Sequence, residues 1–335
     1  MALVLIVATP LLACTPAPRI QSLSGDSMGS TWSLRYVGSE ASIETVESAV
    51  KDRLDRVDRQ MSTWKSDSDL SRYNLATAET WIDWPPEVFK VVEAALTLAA
   101  NTGGAYDPTV GPLVDLWGFG PTGSRREPPD PAAVDALRKR TGWKQVTLDA
   151  SRQRARQAGD VRLDLSSIAP GFALDLIGDY LESRGISNYL IQVGGELRGR
   201  GERPDGRAWQ VAIQRPLDND RTDGSITPEH VISLRNASLG SSGDYRHFFE
   251  DGGRRYAHRI DPRTGYPLDN NVASVTVMAK LGIDADPLAT ALSVLGVDDG
   301  LTYADRHGIA ALFILRKGAG FEERMTTSFA ELLAQ

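Results

Sequence analysis

Residues 273–295 read ASVTVMAKLGIDADPLATALSVL, and two hydrophobic periodicities meet within this stretch. From Ala273 to Ala279 apolar residues alternate with polar ones, a pattern that predicts a β-strand with one covered face. After the segment from Asp284 to Pro287, an apolar run at helical spacing continues to Leu295. The stretch therefore predicts a strand followed closely by a helix, and the two elements must share a core.

The same two periodicities recur in the rest of the chain. Helical spacing predicts three further helices, which run from Ile43 to Met61, from Glu87 to Ala99 after Pro85-Pro86, and from Pro170 to Gly185. Alternation predicts strands at Tyr189–Val193, Trp209–Ile213 and Val231–Leu234. There is no regular βαβ rhythm and no G-x-G-x-x-G after a strand, which argues against a Rossmann unit. We therefore predict an α+β fold, in which mixed, largely antiparallel sheets pack with helices in one large compact catalytic unit, residues 25–335.

Composition narrows the classes of protein and of site. The 335 residues include 44 acidic and 37 basic side chains, a net charge of −7, and no run of about 20 apolar residues. This is the composition of a soluble globular protein, and the acidic balance argues against nucleic acid as a partner. One cysteine and four histidines without metal-type spacing exclude a disulfide framework, an iron–sulfur cluster and a structural zinc site. Chemistry must come from carboxylates, hydroxyls, backbone groups and one imidazole.

The amino terminus predicts the cellular location. Residues 1–13, MALVLIVATPLLA, form a short apolar run typical of a signal peptide. The run ends in Leu11-Leu12-Ala13-Cys14, which resembles the bacterial lipobox and predicts a lipid on Cys14; an ordinary secretory signal is the alternative. Residues 14–24 are then expected to be a flexible tether. The expected location is the bacterial cell envelope, as an inner-membrane lipoprotein facing the periplasm.

The sharpest local pattern for chemistry lies inside the opening stretch. With Pro287 at a first helical position, Asp286 is predicted to be the N-cap and Thr290 to lie one turn further along the same face. Carboxylate and hydroxyl oxygens of this kind suit Mg²⁺, which takes one or two carboxylates and then substrate phosphates. Spacing alone nevertheless favours a plain N-cap aspartate with a structural threonine.

Three other segments are weaker candidates. The lone imidazole of His258 is usually a structural feature beside a strand, but its near-neutral pKa would allow it to accept a proton from a hydroxyl nucleophile. Gly240 to Gly243 does not fit a nucleophile elbow and is expected to be a small-residue turn whose N–H groups can approach a phosphate. Asp218 to Gly224 superficially matches a calcium loop, but its misplaced glycine favours a solvated loop.

Taken together, the motifs of this chain resemble those of the ApbE-type flavin transferase family, the FAD:protein FMN transferases formerly described as thiamine-biosynthesis lipoproteins. Each motif is moderately specific, and their order from residue 25 to about residue 300 is very specific. The matching strings are MGSTW (28–32), MSTW (61–64) with DSDLSRYN (67–74), GAYDPTVGPLV (104–114), WGFG (117–120), DLSSIA (164–169), VGGEL (193–197), SGDYR (242–246), HRIDPRTG (258–265) and DADPLAT (284–290).

The resemblance implies a magnesium-dependent enzyme that transfers the FMN half of FAD to a threonine or serine hydroxyl of a partner protein and releases AMP. By motif position, the implied metal ligands are the backbone carbonyl of Ala169, Asp286 and Thr290, and His258 is the implied base. Trp64 and Tyr106 are expected to stack on or wall the isoalloxazine or adenine rings. The implied FAD contacts are Met28, Trp64, Ala105, Tyr106, Asp107, Ser166, Phe172 and Ile260.

The chain departs from the family pattern at two positions. Ala289 stands where some members carry a second carboxylate, and Pro170 stands where lysine is frequent. Activity is still expected, because Asp286, Thr290 and His258 are present. The implied acceptor is a membrane-bound or exported redox subunit. Two other functions remain open: an Mg²⁺-dependent FAD pyrophosphatase that yields FMN and AMP, and an FAD-binding lipoprotein without catalysis.

Overall fold

The computed structural model describes residues 19–38, 41–121, 123, 125–217, 227–245 and 247–334. The predicted signal peptide, Cys14, the calcium-like run 218–224 and Arg246 lie outside these residues. The helices are α1 (Ile43–Met61), α2 (Asp69–Asn74), α3 (Pro86–Asn101), α4 (Gly111–Leu116), α5 (Pro131–Arg138), α6 (Ala169–Ser183), α7 (Gly282–Leu295), α8 (Val297–Arg306) and α9 (Thr327–Leu333), with a 3₁₀ turn at Trp143–Gln145.

The strands are short and numerous. They are β1 (Ile20–Ser27), β2 (Ser30–Val37), β3 (Ile82–Asp83), β4 (Val146–Asp149), β5 (Arg154–Gln157), β6 (Tyr189–Val193), β7 (Glu196–Arg200), β8 (Trp209–Gln214), β9 (Pro228–Leu234), β10 (Ala237–Gly243), β11 (Phe248–Asp251), β12 (Arg254–Ala257), β13 (Ile260–Asp261), β14 (Tyr266–Pro267), β15 (Val272–Ala279), β16 (Ala310–Lys317) and β17 (Gly320–Met325). Eight of them form one sheet in the order β1-β2-β6-β7-β10-β15-β16-β17. Every neighbouring pair in that sheet is antiparallel, which confirms the predicted α+β class.

The three helices predicted outside the opening stretch are confirmed. In α1 the Ser42 hydroxyl accepts a hydrogen bond from the backbone N–H of Thr45 at 3.2 Å, and this N-cap starts the helix. The buried positions of α1 recur at spacings of three and four from Val46 to Met61. In α6 Pro170 occupies the first turn, where a missing N–H costs little. The described residues include no helix that is both long and apolar enough to cross a membrane.

Strand β15 is buried on both faces, so the prediction of one covered face is wrong for it. Val275 and Val277 pack with residues of α7 and α8 on one side of the sheet. Thr276 lies opposite Leu312 of β16, whose side chain packs with the β8–β9 ribbon and α9 on the other side. Covering layers on both sides bury polar and apolar positions alike, and alternation within the strand cannot reveal the second layer.

The predicted tether is too long at its carboxyl end. Residues 20–24 belong to β1, whose register pairs Ile20 with Val37 and Ser24 with Ser33 of β2. Backbone N–H and C=O groups that join a sheet ladder are held in place, so these five residues belong to the folded domain. The predicted small-residue turn is also wrong, because Gly240 to Gly243 lie within β10 and pair with β15.

Glycines allow α7 to lie very close to its neighbours. A Cβ on Gly240 would lie 2.5 Å from the carbonyl carbon of Ala285 in α7. A Cβ on Gly171 of α6 would lie 2.1 Å from the carbonyl oxygen of Gly282, and one on Gly282 would lie 2.2 Å from the carbonyl oxygen of Gly171. Any side chain at these positions would have to push backbone aside, so the first turns of α6 and α7 cross at a glycine pair.

We expect Gly171→Ala to lower the free energy of unfolding by about 3 kcal/mol, because its methyl group would overlap the Gly282 carbonyl. The matched control is Gly320→Ala in β17, where the nearest atom is 3.9 Å from the new Cβ, and a change below about 1 kcal/mol is expected. Urea unfolding followed by circular dichroism measures both. Equal stability of the two variants would contradict the close crossing of α6 and α7.

Candidate active site

The helix that carries Asp286 begins earlier than the sequence predicts. Helix α7 starts at Gly282, so Asp286 is inside the helix and is not its N-cap, and Pro287 is an internal proline. The cap comes from α6: the two carboxylate oxygens of Asp175 accept hydrogen bonds from the N–H groups of Gly282 and Ile283, both at 2.9 Å. A carboxylate from another helix thus satisfies N–H groups that a local N-cap normally serves.

Asp286 is 6% exposed and sits against the first turn of α6. Its Oδ2 accepts a hydrogen bond from the backbone N–H of Gly171 at 3.0 Å. Burial raises the pKa of Asp286 to about 7, and the Gly171 hydrogen bond only partly opposes this effect. Such a carboxylate gains from a nearby cation, yet no Lys, Arg or His of the described segments forms an ion pair with Asp286.

The residues around Asp286 fit Mg²⁺. Thr290 lies one helical turn further along α7, on the face that Asp286 occupies. Ala169 is the first residue of α6, two positions before Gly171, whose N–H reaches Asp286. Within the part of the chain that the structure describes, no group of three or more His, Cys, Asp or Glu side chains could hold a metal. The three predicted ligands form an oxygen-only set with one carboxylate, the type that Mg²⁺ completes with water and phosphate oxygens.

Tyr106, a predicted FAD contact, lies within electrostatic range of Asp286. Its ring is buried, and its hydroxyl oxygen accepts a hydrogen bond from the Ser167 hydroxyl at 3.2 Å. Burial raises the pKa of Tyr106 above its ordinary value, and the carboxylates of Asp286, Asp164 and Asp107 raise it further. The phenol therefore stays protonated and can donate a hydrogen bond to an anionic group.

Asp107 shapes the loop that carries Tyr106. Its Oδ1 accepts hydrogen bonds from the N–H of Thr109 at 2.9 Å and from the Thr109 hydroxyl at 2.7 Å, and its Oδ2 accepts one from the N–H of Trp143 at 3.0 Å. Burial raises the pKa of Asp107, and these hydrogen bonds oppose the shift. Ala105 is fully buried in the same loop. The hydrogen bonds of Asp107 therefore connect the segment at Thr109 to the segment at Trp143. The FAD contacts predicted for Asp107 and Ala105 stay predictions.

The remaining predicted FAD contacts differ widely in exposure. Trp64 is 71% exposed and offers an open ring face, and Ser166 is exposed as well. Met28 has φ +52° in the tight turn between β1 and β2, a left-handed conformation that is uncommon for a residue other than glycine. Phe172 is buried in the first turn of α6, with the Lys90 ammonium 5.6 Å from its ring centroid. Their roles toward FAD stay predictions.

His258 is oriented by the backbone carbonyl of His247, which immediately precedes β11. Its Nδ1 lies 3.2 Å from the carbonyl oxygen of His247, which can only accept, so Nδ1 carries the proton and Nε2 keeps its lone pair. Burial lowers the pKa of His258 to about 4, with further contributions from the charge of Arg259 and from His247. The imidazole is therefore neutral at pH 7, and Nε2 is the atom that can accept a proton.

An aromatic column supports the hairpin that carries His258. Phe119 meets the His258 ring edge-on at 6.3 Å between centroids. Ring-to-ring stacking then runs from Phe119 through Phe249 and Tyr256 to Trp117, with centroids 5.1 to 5.7 Å apart. Ile260 is buried in the same cluster and does not face solvent. Except for the contact between Phe249 and Tyr256, these ring contacts join residues that are more than 100 positions apart in the sequence, so the sequence did not predict the column. Among the stacked rings, only Trp117 and Phe119 belong to a motif, WGFG, that resembles the family pattern.

The motif that contains His258 contacts α7, the helix that carries Asp286. The Arg263 side chain donates to the carbonyl oxygen of Val294 at 3.4 Å, near the carboxyl end of α7. Asp286 lies eight residues earlier in the same helix, about 12 Å along its axis. Sequence reasoning found both segments but missed Asp175, which was detectable only as an isolated acidic residue in the apolar pattern of α6.

Known proteins resemble this chain over nearly its whole length. Residues 28–313 match the model of the ApbE family. The FAD:protein FMN transferase of Haemophilus influenzae is 39% identical, over 97% of this chain and 95% of that protein, and the one of Vibrio cholerae is 38% identical, over 99% of each.

Solved structures agree with the sequence relatives. The apo form of the Pseudomonas stutzeri flavinyl transferase ApbE superposes with a TM-score of 0.86 at 38% identity, covering 95% of this chain and 98% of that one. The flavin transferase ApbE from Vibrio cholerae gives 0.86 at 37% identity, covering 94% of this chain and all of that one. Both comparisons span nearly the whole length of every protein involved. The chain belongs to the ApbE family.

Proposed function

We propose that this protein is an Mg²⁺-dependent FAD:protein FMN transferase that links FMN to a threonine or serine hydroxyl of an acceptor protein through a phosphoester bond and releases AMP. The observation that carries the proposal is Asp286, a carboxylate that is 6% exposed, accepts a hydrogen bond from the Gly171 N–H and forms no ion pair with the described basic side chains. The names of the close relatives support the flavin transfer itself.

The covalent step exchanges the phosphoanhydride bond of FAD for a phosphoester bond to the acceptor. The acceptor oxygen forms a bond to the FMN phosphorus of FAD, and the bond from that phosphorus to the bridging oxygen breaks. The bridging oxygen leaves with AMP. His258 Nε2 takes the hydroxyl proton and later returns it to solvent. The lowered pKa of His258 keeps the imidazole in the neutral form that this role requires.

Other residues bind and orient the substrate. We assign Trp64 to stacking against a ring of FAD, because its face is open. The Tyr106 hydroxyl, kept protonated, is placed to donate to an anionic oxygen near Asp286. Asp286, Thr290 and the Ala169 carbonyl would hold Mg²⁺, which supplies charge neutralisation for the diphosphate and for the departing AMP.

An acceptor titration tests transfer against the two alternatives. The full chain is incubated with FAD, Mg²⁺ and a candidate acceptor domain with an exposed threonine, then assayed by in-gel flavin fluorescence and by chromatography for AMP. Covalent fluorescence on the acceptor with AMP supports transfer. AMP and free FMN without a fluorescent acceptor would support a pyrophosphatase instead, and bound but intact FAD would support a carrier.

We expect Trp64→Ala to weaken FAD binding about tenfold, because stacking of an aromatic ring on a base contributes about 1–3 kcal/mol. Quenching of FAD fluorescence by the protein measures the Kd. The matched control is Leu75→Ala, which removes an apolar side chain that is 72% exposed and should leave the Kd within about twofold. An unchanged Kd in Trp64→Ala would remove Trp64 from the flavin site.

We also propose that the protein is anchored in the bacterial envelope by a lipid on Cys14 and acts there on a membrane-bound or exported redox subunit. The apolar run 1–13 and the lipobox-like Leu11 to Cys14 support this location. Cys14→Ser should move most of the protein from the membrane to the soluble fraction and abolish incorporation of labelled palmitate. Thr15→Ala should change neither, and membrane retention of Cys14→Ser would contradict the anchor.

A further inference from the structure

The crossing of α6 and α7 is built from two segments of the same pattern. Gly171 to Asp175 on α6 and Gly282 to Asp286 on α7 both read G-x-x-x-D. In each helix the glycine lies in the first turn, and the aspartate lies one turn later on the same face. The two glycines meet at the crossing, because a Cβ on either one would overlap the carbonyl of the other.

The two aspartates cap each other's helices. Asp175 of α6 accepts from the N–H groups of Gly282 and Ile283 at 2.9 Å each, at the start of α7. Asp286 of α7 accepts from the N–H group of Gly171 at 3.0 Å, at the start of α6. The exchange is reciprocal, so the position of either carboxylate depends on the other helix.

The surroundings of the two carboxylates differ in charge. Asp175 is 4% exposed and forms an ion pair with the buried Arg198 of β7. Arg198 also contacts Glu182 at 3.4 Å, and Glu182 accepts a hydrogen bond from the Tyr189 hydroxyl at 2.8 Å. Asp286 has no such partner among the described basic side chains. The charge of Asp175 is therefore balanced by Arg198, whereas the charge of Asp286 is available to a bound cation.

We propose that Asp175, held by Arg198, is a positioning residue that sets the divalent-cation affinity of the site at Asp286, an inference that rests on the proposed function. Asp175 is not among the residues assigned to the cation or to FAD. It binds two successive N–H groups, and this pair sets the rotation and the translation of the first turn of α7 relative to α6. A slip of one residue would move Asp286 by about 1.5 Å along the axis and about 100° around it, whereas a site must be held to about 0.5 Å.

Direct cation binding to the full chain tests this role without FAD turnover. Mn²⁺ serves as the probe for Mg²⁺, and free Mn²⁺ is counted by electron paramagnetic resonance. Asp175→Asn should weaken the Mn²⁺ Kd by about tenfold or more, the range found when a residue behind a metal ligand is lost. Glu182→Gln is the matched control, since it alters the far side of Arg198 without touching α7, and should stay within about twofold of wild type.

The outcomes separate this inference from the proposed function. A wild-type Kd in a folded Asp175→Asn variant would overturn the positioning role while leaving the cation site intact. Absence of Mn²⁺ binding in the wild-type chain would overturn both. If Asp175→Asn does not fold, hydrogen exchange in the wild-type chain decides: Mn²⁺ should slow exchange in the peptide that contains Gly282 and Ile283 by about tenfold or more. Unchanged exchange in that peptide would overturn the proposed link between cation binding and the start of α7.

Discussion

Asp286→Asn should lower the rate of FMN transfer by about 10³-fold or more, without loss of stability. The amide keeps an oxygen for the Gly171 N–H but removes the charge that the proposed cation site requires, and cation stabilisation of developing charge contributes several kcal/mol. Burying a neutral amide costs less than burying a carboxylate without a cation partner. We therefore expect the metal-free variant to be at least as stable as the metal-free wild-type chain.

The matched control lies in the same helix. Asp284→Asn removes an exposed carboxylate two residues earlier, and transfer should stay within about threefold of wild type. Rates are measured as in-gel fluorescence of the acceptor over time, and stability as the urea midpoint. Undiminished transfer in Asp286→Asn would exclude Asp286 as a cation ligand. A large loss of stability in that variant would contradict the claim that its burial is costly.

His258→Ala should lower kcat for transfer by about 10²- to 10⁴-fold, the usual contribution of a positioned general base, while the Kd for FAD stays close to wild type. The ring is held by the His247 carbonyl and by Phe119, so its loss removes the proton acceptor without unfolding the sheet. His307→Ala, an exposed imidazole at the end of α8, is the control and should transfer normally. Full transfer by His258→Ala would rule out its role as the essential base.

The pH profile gives an independent check on His258. Because the pKa of His258 is lowered to about 4, its base form is present throughout the neutral range, and transfer should show no histidine limb near pH 6.5. The folded pKa lies below the unfolded value, so this group's contribution to stability is full above pH 6.5 and is lost as the pH falls toward 4. Proton NMR titration of the His258 ring measures the pKa, and a value near 6.5 would show that burial does not lower it.

Fold class and most helices were predictable because their signals are local. The stripe from Val46 to Met61 and the alternation of Tyr189 to Val193 depend only on neighbours in sequence, and both elements match the structure. The start of α7 was not predictable, because its cap, Asp175, lies 107 residues before Gly282. Pro287 suggested that the helix begins there. The cap from Asp175 instead allows the helix to begin five residues earlier, at Gly282.

Other features that the sequence did not predict also depend on contacts between residues that are far apart in the chain. A second layer over β15 buries Thr276, so alternation alone did not reveal it. Gly240 lies in β10, where the backbone of Ala285 leaves no room for a Cβ, so its small size reflects close packing and not a turn. The resemblance implies that Asp107 contacts FAD, which stays a prediction, and the structure adds hydrogen bonds of its carboxylate to Thr109 and Trp143. A motif marks a position in the site, but it does not say whether the side chain touches the ligand or shapes the loop behind it.

The most direct test of the central claim is the product balance on an acceptor protein. Mass spectrometry of the acceptor and chromatographic measurement of AMP are made on one reaction that contains the chain, FAD and Mg²⁺. The account predicts that the acceptor gains one FMN less one water on a single threonine or serine, with an equal amount of AMP, and that EDTA abolishes both. AMP and FMN released in equal amounts while the acceptor mass stays unchanged would contradict it.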